Sequence, residues 1–232
     1  MSYHELSQHI QLSDLQRFSK NSEATFEIGD LDSMFTILEG RFDSTWGGIE
    51  KAPKFIMPSI WQFLLRYYHL TKNQRALEMV SLTLTKMSQG GIYDQLGGGF
   101  SRYSVDGEWF APHFEKMLYD NGQLVSLYAQ AYKRTQNPLY KTVLEKTLNF
   151  VSREWLTSEG AFYSALDADS FNAAGNLEEG AFYVWTETEL RNLIGGDFDL
   201  FAQVFNINEF GHWEHGHYVL IQNQDLEVIA RE

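Results

Sequence analysis

The chain has 232 residues, of which 44% are hydrophobic and 15% aromatic, as expected for a globular protein with a sizeable core. Its formal net charge of −13 argues against nucleic acid or a membrane surface as a partner, because both are bound through clustered Lys and Arg. The absence of cysteine excludes disulfides, thiol chemistry and cysteine-ligated zinc. The N-terminus lacks the pattern of a signal peptide and no apolar run is long enough to span a bilayer, so we expect a cytoplasmic protein.

The first third of the chain is predicted to be helical after a weakly patterned start. Residues 1–28 are expected to form a loosely ordered N-terminal segment. Apolar residues at helical spacing then predict a helix with Asp30 as its N-cap. A second helix is predicted from Pro58, because proline suits the first turn of a helix. A third is predicted over Gln74–Met87 and ends at Gly90–Gly91.

The clearest helical pattern covers the middle of the chain. A wide apolar stripe predicts a helix from His113 to Arg134, which Asn137-Pro138 should end. Another regular stripe predicts a helix over Leu139–Trp155. Two long helices joined by a short turn make an antiparallel helical hairpin. We therefore expect the hairpins of 58–87 and 113–155 to pack side by side.

The remaining segment changes character. Two Ala-Phe-Tyr runs, each behind a glycine, predict a small β-hairpin over 161–185 with the polar stretch Asp167–Glu179 as its tip. Thr186 is predicted to cap the next helix. A short helix is predicted over Phe198–Phe205. The run GHYVLIQ, residues 216–222, has the composition of a last strand.

The glycine-rich stretch Gly90–Gln123 is the strongest candidate for a functional site, since five of its first ten residues are glycine. A helix start at His113 would favour the neutral imidazole that acid–base catalysis uses, and it would favour the Glu115 anion. Lys116 and Asp120 are four residues apart and could form an ion pair. The alternative is a cluster of caps and salt bridges that only orients the loop.

Two further polar groups have catalytic and structural interpretations. Asp167 and Asp169 would face the same side of an extended strand and could act as a carboxylate pair or hold a hard cation. The alternative is an Asx turn, in which such side chains bind local backbone. His212, His215 and His217 could ligate a metal, but a polar surface loop is the better prediction, so we predict no metal site.

The catalytic candidates in the sequence are therefore an imidazole and four carboxyls: His113, Glu115, Asp120, Asp167 and Asp169. Aromatic and charged residues of the loops are candidates for ligand binding, because aromatic ring faces stack on sugar rings. They are Arg102, Tyr103, Trp109, Lys116, Tyr163 and Trp185. The alternative for the aromatic residues is the protein core. We further expect His113, Glu115 and Asp120 to share one cleft with Asp167, Asp169 and Trp109.

Four strings carry a family resemblance: APKF, GGIYDQLGGGFSRYSVDGEWFAPHFEKMLYDNGQL, FYSALDADS and EEGAFYVWTETEL. They resemble the uncharacterised thioredoxin-domain-containing family that includes spermatogenesis-associated protein 20, over roughly Phe42 to Leu220. The resemblance implies a helical toroid similar to those of six-hairpin glycosidases and sugar 2-epimerases. The family's thioredoxin-like domain and its cysteine pair are missing here, so no redox activity is carried over. The chain also stops about halfway round such a toroid.

The expected fold is therefore mainly α, a single domain over 1–232 that forms part of an (α/α) toroid with a small β-hairpin. The first functional hypothesis is a carbohydrate-binding or carbohydrate-converting cleft built by the glycine-rich loops, with a sugar as ligand and no cofactor. The alternative is a non-catalytic helical module, left by truncation, that binds a partner protein or itself. Half a toroid would expose apolar helix faces, so we expect a homo-oligomer or a missing partner domain.

Overall fold

The computed structural model describes residues 27–49, 52–222, 224 and 226–230. The chain divides into two compact units, residues 1–34 and 35–232. The described part of the first unit is the beginning of helix α1 (Ile28–Glu39). Asp30 lies in the first turn of α1, where its Oδ2 accepts a hydrogen bond from Glu27 N, so its prediction as the N-cap is wrong by three residues. The predicted loose segment over 1–28 falls outside the described residues, apart from its last two.

The second unit contains two antiparallel helical hairpins, as predicted. The first consists of α2 (Pro58–Thr71) and α3 (Gln74–Gln89), and the second of α4 (Leu118–Thr135) and α5 (Pro138–Phe150). Helix α2 packs against α4, and α3 packs against α5. A π-helical turn, Val151–Trp155, carries the last helix to its predicted end.

The two hairpins turn in the same way. Asn73 caps α3 by accepting a hydrogen bond from Arg75 N, and Asn137 caps α5 by accepting one from Leu139 N. The residue before each asparagine adopts a left-handed conformation that ends the preceding helix. The chain thus repeats one structural unit, a helical hairpin whose second helix is capped by asparagine.

Short strands connect the hairpins. β1 (Lys54–Phe55), β2 (Tyr103–Ser104) and β3 (Pro112–His113) form an antiparallel sheet, and β4 (Lys116–Met117) pairs with β5 (Ala165–Leu166). The predicted helix start at His113 is therefore wrong, because the backbone of 112–117 is extended and bonds to other strands. Helix α4 begins five residues later, at Leu118.

The predicted β-hairpin is also placed differently. The strands that pair are β6 (Asp169–Phe171) and β7 (Leu177–Glu179), which lie inside the predicted polar tip. The aromatic runs on either side do not pair with each other. Instead, β8 (Trp185–Thr186) pairs with β9 (His217–Tyr218), the predicted last strand.

The C-terminal helices follow the predictions closely. Thr186 forms a capping box with Glu189 at the start of α6 (Glu187–Ile194), and α7 covers Phe198–Phe205 as predicted. A short helix, α8 (Leu226–Ile229), follows β9. Over the described ranges, none of these helices combines the length and the apolarity that a membrane span requires.

The loop of residues 94–99 precedes the second hairpin, ends in two glycines with positive φ and is hydrogen-bonded to strand β4. Asp94 Oδ1 accepts hydrogen bonds from Leu96 N and Gly97 N at 3.1 and 2.8 Å. Lys116 Nζ donates to Asp94 Oδ2 at 3.0 Å and to the carbonyl of Gly98 at 3.1 Å. Gly98 has a φ of 81°, which residues other than glycine rarely adopt. The lysine side chain is 1% exposed.

An equivalent loop precedes the first hairpin. Asp43 Oδ1 accepts from Thr45 N and Trp46 N, both at 2.9 Å. Lys54 Nζ donates to Asp43 Oδ2 at 2.6 Å and to the carbonyl of Gly47 at 2.8 Å. Gly47 also has a positive φ, of 70°. A buried lysine held by a carboxylate and a glycine carbonyl is therefore a repeated structural device of this fold.

Candidate functional site

The extended segment 112–117 sends its side chains to two different environments. Residues two apart on an extended chain face the same side, and neighbours face opposite sides. His113 and Glu115 contact charged residues of the loops, whereas Phe114 and Lys116 line a cavity. The glycine-rich stretch therefore supplies two candidate surfaces, not one.

A line of charged groups forms the first surface. Arg102 Nη1 lies 2.9 Å from Glu115 Oε2, and this oxygen lies 3.8 Å from His113 Nε2. On the other side of the ring, His113 Nδ1 lies 2.7 Å from Glu179 Oε1. We call these four residues the His113 cluster. One imidazole is thus placed between two carboxylates that come from distant parts of the sequence.

An aromatic row extends the His113 cluster. Phe55, Tyr103 and His113 lie opposite one another in the register of the β1–β2–β3 sheet. The ring centroids are 4.9 Å apart for Phe55 and Tyr103 and also for Tyr103 and His113, the latter pair being stacked. The Phe55 side chain remains exposed at the end of the row. The row offers a ring surface next to titratable groups.

Asp120 is the most perturbed carboxyl near the His113 cluster. It lies in the first turn of α4 and is 7% exposed, and among the described residues no hydrogen bond to its carboxyl is found. Burial raises the pKa of Asp120 to about 6, opposed by the positive charge of Arg102 and assisted by the negative charge of Glu115. A carboxyl that titrates near neutrality can donate or accept a proton under physiological conditions.

One residue of the His113 cluster, Glu179, lines a cavity of about 440 Å³. Pro112, next to His113 in the chain, also lines this cavity, and so do His215 and His217. Its volume falls within the range of small-molecule sites. A ligand in this cavity would lie next to the Glu179 carboxylate.

The second surface, around Lys116, is a cavity of about 650 Å³. Asp94, Arg153, Tyr183 and Trp185 are among its lining residues. Lys116 Nζ lies 4.5 Å from the ring centroids of both Phe150 and Tyr183. Burial lowers the pKa of Lys116, and the Asp94 charge opposes that shift.

Lys116 has a structural role in this arrangement. It does not pair with Asp120, as the spacing predicted, but with Asp94 from the preceding loop. Lys54 makes the same contacts with Asp43 in the equivalent loop. Because both ammonium groups are already bound to a carboxylate and a carbonyl, neither is free to bind an anionic ligand.

Three of the other predicted residues lie away from the His113 cluster. Trp109 is 0% exposed and donates from Nε1 to the carbonyl of Trp46, so the structure places it in the core and not on the cleft surface. Tyr163 is exposed, and Trp185 lines the cavity beside Lys116.

Asp167 and Asp169 form an Asx turn, which was the structural alternative to a carboxylate pair. Asp167 Oδ1 accepts a hydrogen bond from Asp169 N at 3.1 Å. Asp169 is paired with Glu179 across the β6–β7 hairpin. Asp169 is thus linked to the His113 cluster through its cross-strand neighbour. Within the described ranges, no group of three or more His, Asp or Glu residues has the geometry of a metal site.

Glu179 belongs to the His113 cluster but is not among the site residues predicted from the sequence. It is 66 positions from His113 in the sequence and reaches the ring through the β6–β7 hairpin. Gly180 follows it with a φ of 75°, and a Cβ there would lie 2.4 Å from the Phe114 ring. The composition of 178–180 carries no local signal of this contact, because only the tertiary fold brings the two residues together.

The two helical hairpins and their glycine-rich loops define the class of fold. A sugar epimerase from a ruminal bacterium superposes with a TM-score of 0.54 at 16% identity, covering 72% of this chain and 47% of its own. Cellobiose 2-epimerase from Spirochaeta thermophila DSM 6192 gives a TM-score of 0.53 at 18% identity, covering 60% and 39%. The chain is part of an (α/α) toroid of the six-hairpin glycosidase-like type, as predicted.

The sequence comparison identifies a more similar relative. Human spermatogenesis-associated protein 20 is 44% identical over 165 residues, which cover 69% of this chain and 21% of that protein. The chain is a homologue of part of this protein, as the resemblance indicated. It spans about a fifth of the length of the curated relatives of this name that it matches. No protein-family model matches the chain.

Proposed function

We propose that this chain binds a carbohydrate at the His113 cluster and transfers a proton to or from it. The observation that carries the proposal is the juxtaposition of His113 with two carboxylates, one of which, Glu115, interacts electrostatically with Asp120, whose pKa is about 6. Two proton-transfer groups at one site are what a sugar needs to lose a proton at one atom and gain one at another.

The aromatic row supports a sugar as the ligand. Phe55, the exposed end of the row, presents ring surface near the His113 cluster, and apolar ring faces stack on the C–H faces of sugar rings. Arg102 is paired with Glu115 and Lys116 with Asp94, so both cations next to the site are neutralised. The net charge of −13 likewise disfavours a strongly anionic ligand. These features favour an uncharged sugar.

The fold adds support of a different kind. Both superposed neighbours are named as epimerases, one of sugars and one of cellobiose. Cellobiose and glucose are therefore the first compounds to test, because fold likeness alone does not transfer an activity.

Proton transfer can be tested with the protein in deuterated water. Cellobiose or glucose is incubated with the protein, and the sugar protons are followed by one-dimensional proton NMR. We expect the signal of one proton to disappear as deuterium replaces it. This proton is on the carbon next to the carbonyl carbon of the open-chain sugar. The His113→Gln variant should lose this exchange, because glutamine cannot accept and return a proton.

A matched control separates the site from a general effect of histidine replacement. His69 is exposed on α2, so His69→Gln should exchange at the wild-type rate. Exchange that persists unchanged in His113→Gln, or no exchange with any sugar, would contradict the proposed chemistry.

A second candidate function is self-association, favoured by a separate observation. Large apolar side chains on and beside the β6–β7 hairpin are exposed, with Phe171 at 72% and Phe182 at 70%. Exposed apolar surface of this kind is typical of interaction sites. We propose that a second copy of the chain covers it. Sedimentation velocity over a range of concentrations would test this, and a monomer at the highest concentration would contradict it.

A further inference from the structure

We propose that Glu179 fixes the tautomer of His113 and so makes Nε2 the atom that exchanges a proton with the ligand. This inference rests on the proposed function for its last step only. The contact between Glu179 Oε1 and His113 Nδ1 is 2.7 Å, the shorter of the two carboxylate contacts to the ring. Glu179 is a positioning residue, because it acts on the ligand through the imidazole.

The chemistry of the two groups assigns the proton. An ionised carboxylate can only accept a hydrogen bond, so the nitrogen that bonds to it must carry the hydrogen. In neutral imidazole one nitrogen donates and the other accepts. A donor at Nδ1 therefore leaves Nε2 with a free lone pair, the form that can take a proton from a ligand.

Glu115 does not compete for this role. Its Oε2 lies 3.8 Å from Nε2, beyond hydrogen-bond distance, and the same oxygen accepts a hydrogen bond from Arg102 Nη1 at 2.9 Å. Nε2 thus has a carboxylate nearby but no hydrogen bond to it. The negative charge of Glu115 would stabilise the imidazolium after Nε2 takes up a proton.

The backbone holds Glu179 in position for this contact. Phe114 N is 3.4 Å from the same Oε1 atom that contacts the ring. The strand that carries Glu179 pairs with β6, and Gly180 N donates to the carbonyl of Ala168 at 2.9 Å. The β6–β7 hairpin therefore delivers the carboxylate, and displacement of the hairpin would remove it from the ring.

The tautomer can be measured directly in the free protein. Long-range proton–nitrogen NMR of uniformly ¹⁵N-labelled protein distinguishes a protonated from an unprotonated ring nitrogen. The spectrum is recorded at about pH 8.5, two units above the ordinary pKa of histidine. We expect the shift of a protonated nitrogen at Nδ1 and of an unprotonated nitrogen at Nε2. A proton on Nε2 in the wild-type protein would overturn the proposal without any variant.

Three variants test whether Glu179 sets the tautomer of His113. Glu179→Leu removes the acceptor and should shift His113 toward a mixture of tautomers. Glu179→Gln keeps the length of the side chain but replaces the carboxylate with an amide that can both donate and accept, so it too should weaken the preference for a proton on Nδ1. Glu178→Leu, on the same strand, should leave the wild-type tautomer unchanged. A wild-type tautomer in Glu179→Leu would overturn the role of the hydrogen bond.

The outcome is separable from that of the proposed function. If the Nδ1 proton is found but no sugar exchanges deuterium, the carboxylate–imidazole pair stands and the carbohydrate proposal fails. If a sugar exchanges deuterium while Nε2 carries the proton, the proposed function stands and the assignment to Glu179 fails.

Discussion

Replacing Asp120 with asparagine should stabilise the protein while impairing its proton-transfer function. The carboxyl is almost fully buried, and burial raises its pKa from 3.8 to about 6. At neutral pH the folded protein therefore carries an ionised group in an unfavourable environment. Asparagine has nearly the same shape and no charge, so the substitution removes this unfavourable term.

The size and pH dependence of the effect follow from linkage. A shift of about two pKa units corresponds to at most about 3 kcal/mol, since each unit is worth about 1.4 kcal/mol. Between about pH 4 and 6 the folded state binds the Asp120 proton more tightly than the unfolded state does. The wild-type free energy of unfolding should thus fall as pH rises through this window because of Asp120. Above it, Asp120→Asn should be about 1–3 kcal/mol more stable than wild type.

Urea unfolding of both proteins at pH 4, 5, 6 and 7.5 measures this difference. The curves should converge at pH 4, where the wild-type carboxyl is protonated in the folded state. Asp199→Asn, at an exposed position on α7, should show no such pH-dependent gain. A variant that is less stable than wild type at pH 7.5, or equally stabilised at every pH, would refute this account of Asp120.

Two other predictions concern the repeated loops and the exposed apolar surface. Lys116→Ala and Lys54→Ala should each lower the free energy of unfolding by about 3–5 kcal/mol, because each leaves a carboxylate without its buried partner. Denaturant unfolding measures this, and a loss below about 1 kcal/mol, the value of an exposed ion pair, would contradict the structural role. Phe171→Ser with Phe182→Ser should convert the proposed dimer to a monomer in sedimentation velocity with unchanged circular dichroism. Dimers that persist in this double variant would show that another surface is used.

The helices could be predicted because their signals are local. Proline at the first turn, asparagine or threonine at the cap and apolar residues at helical spacing lie within one segment. The helix over Phe198–Phe205 and the Thr186 cap were predicted at the residues where the structure has them. The start of α4 was missed because an apolar stripe runs through 114–118 in either conformation. Only pairing with strands far along the chain decides that this segment is extended.

The site shows the same division between local and distant information. Arg102, His113, Glu115 and Asp120 lie in one glycine-rich stretch, so composition alone identified them as candidates. Glu179 lies 66 residues from the ring that it contacts, and no spacing rule connects the two. Trp109 was predicted at the surface of the cleft because it lies in a loop, yet the close packing of glycines around it places it in the core.

The central claim, that the His113 cluster binds a sugar, is tested most directly by chemical-shift mapping. Labelled protein is titrated with cellobiose at pH 7.5, and backbone amide shifts are followed for wild type, His113→Gln and the His69→Gln control. We expect saturable shifts at Arg102, Tyr103 and His113 in the wild type and in the control, and at least a tenfold loss of affinity in His113→Gln, equivalent to about 1.4 kcal/mol. Shifts confined to another surface, or equal affinity in His113→Gln, would contradict the claim.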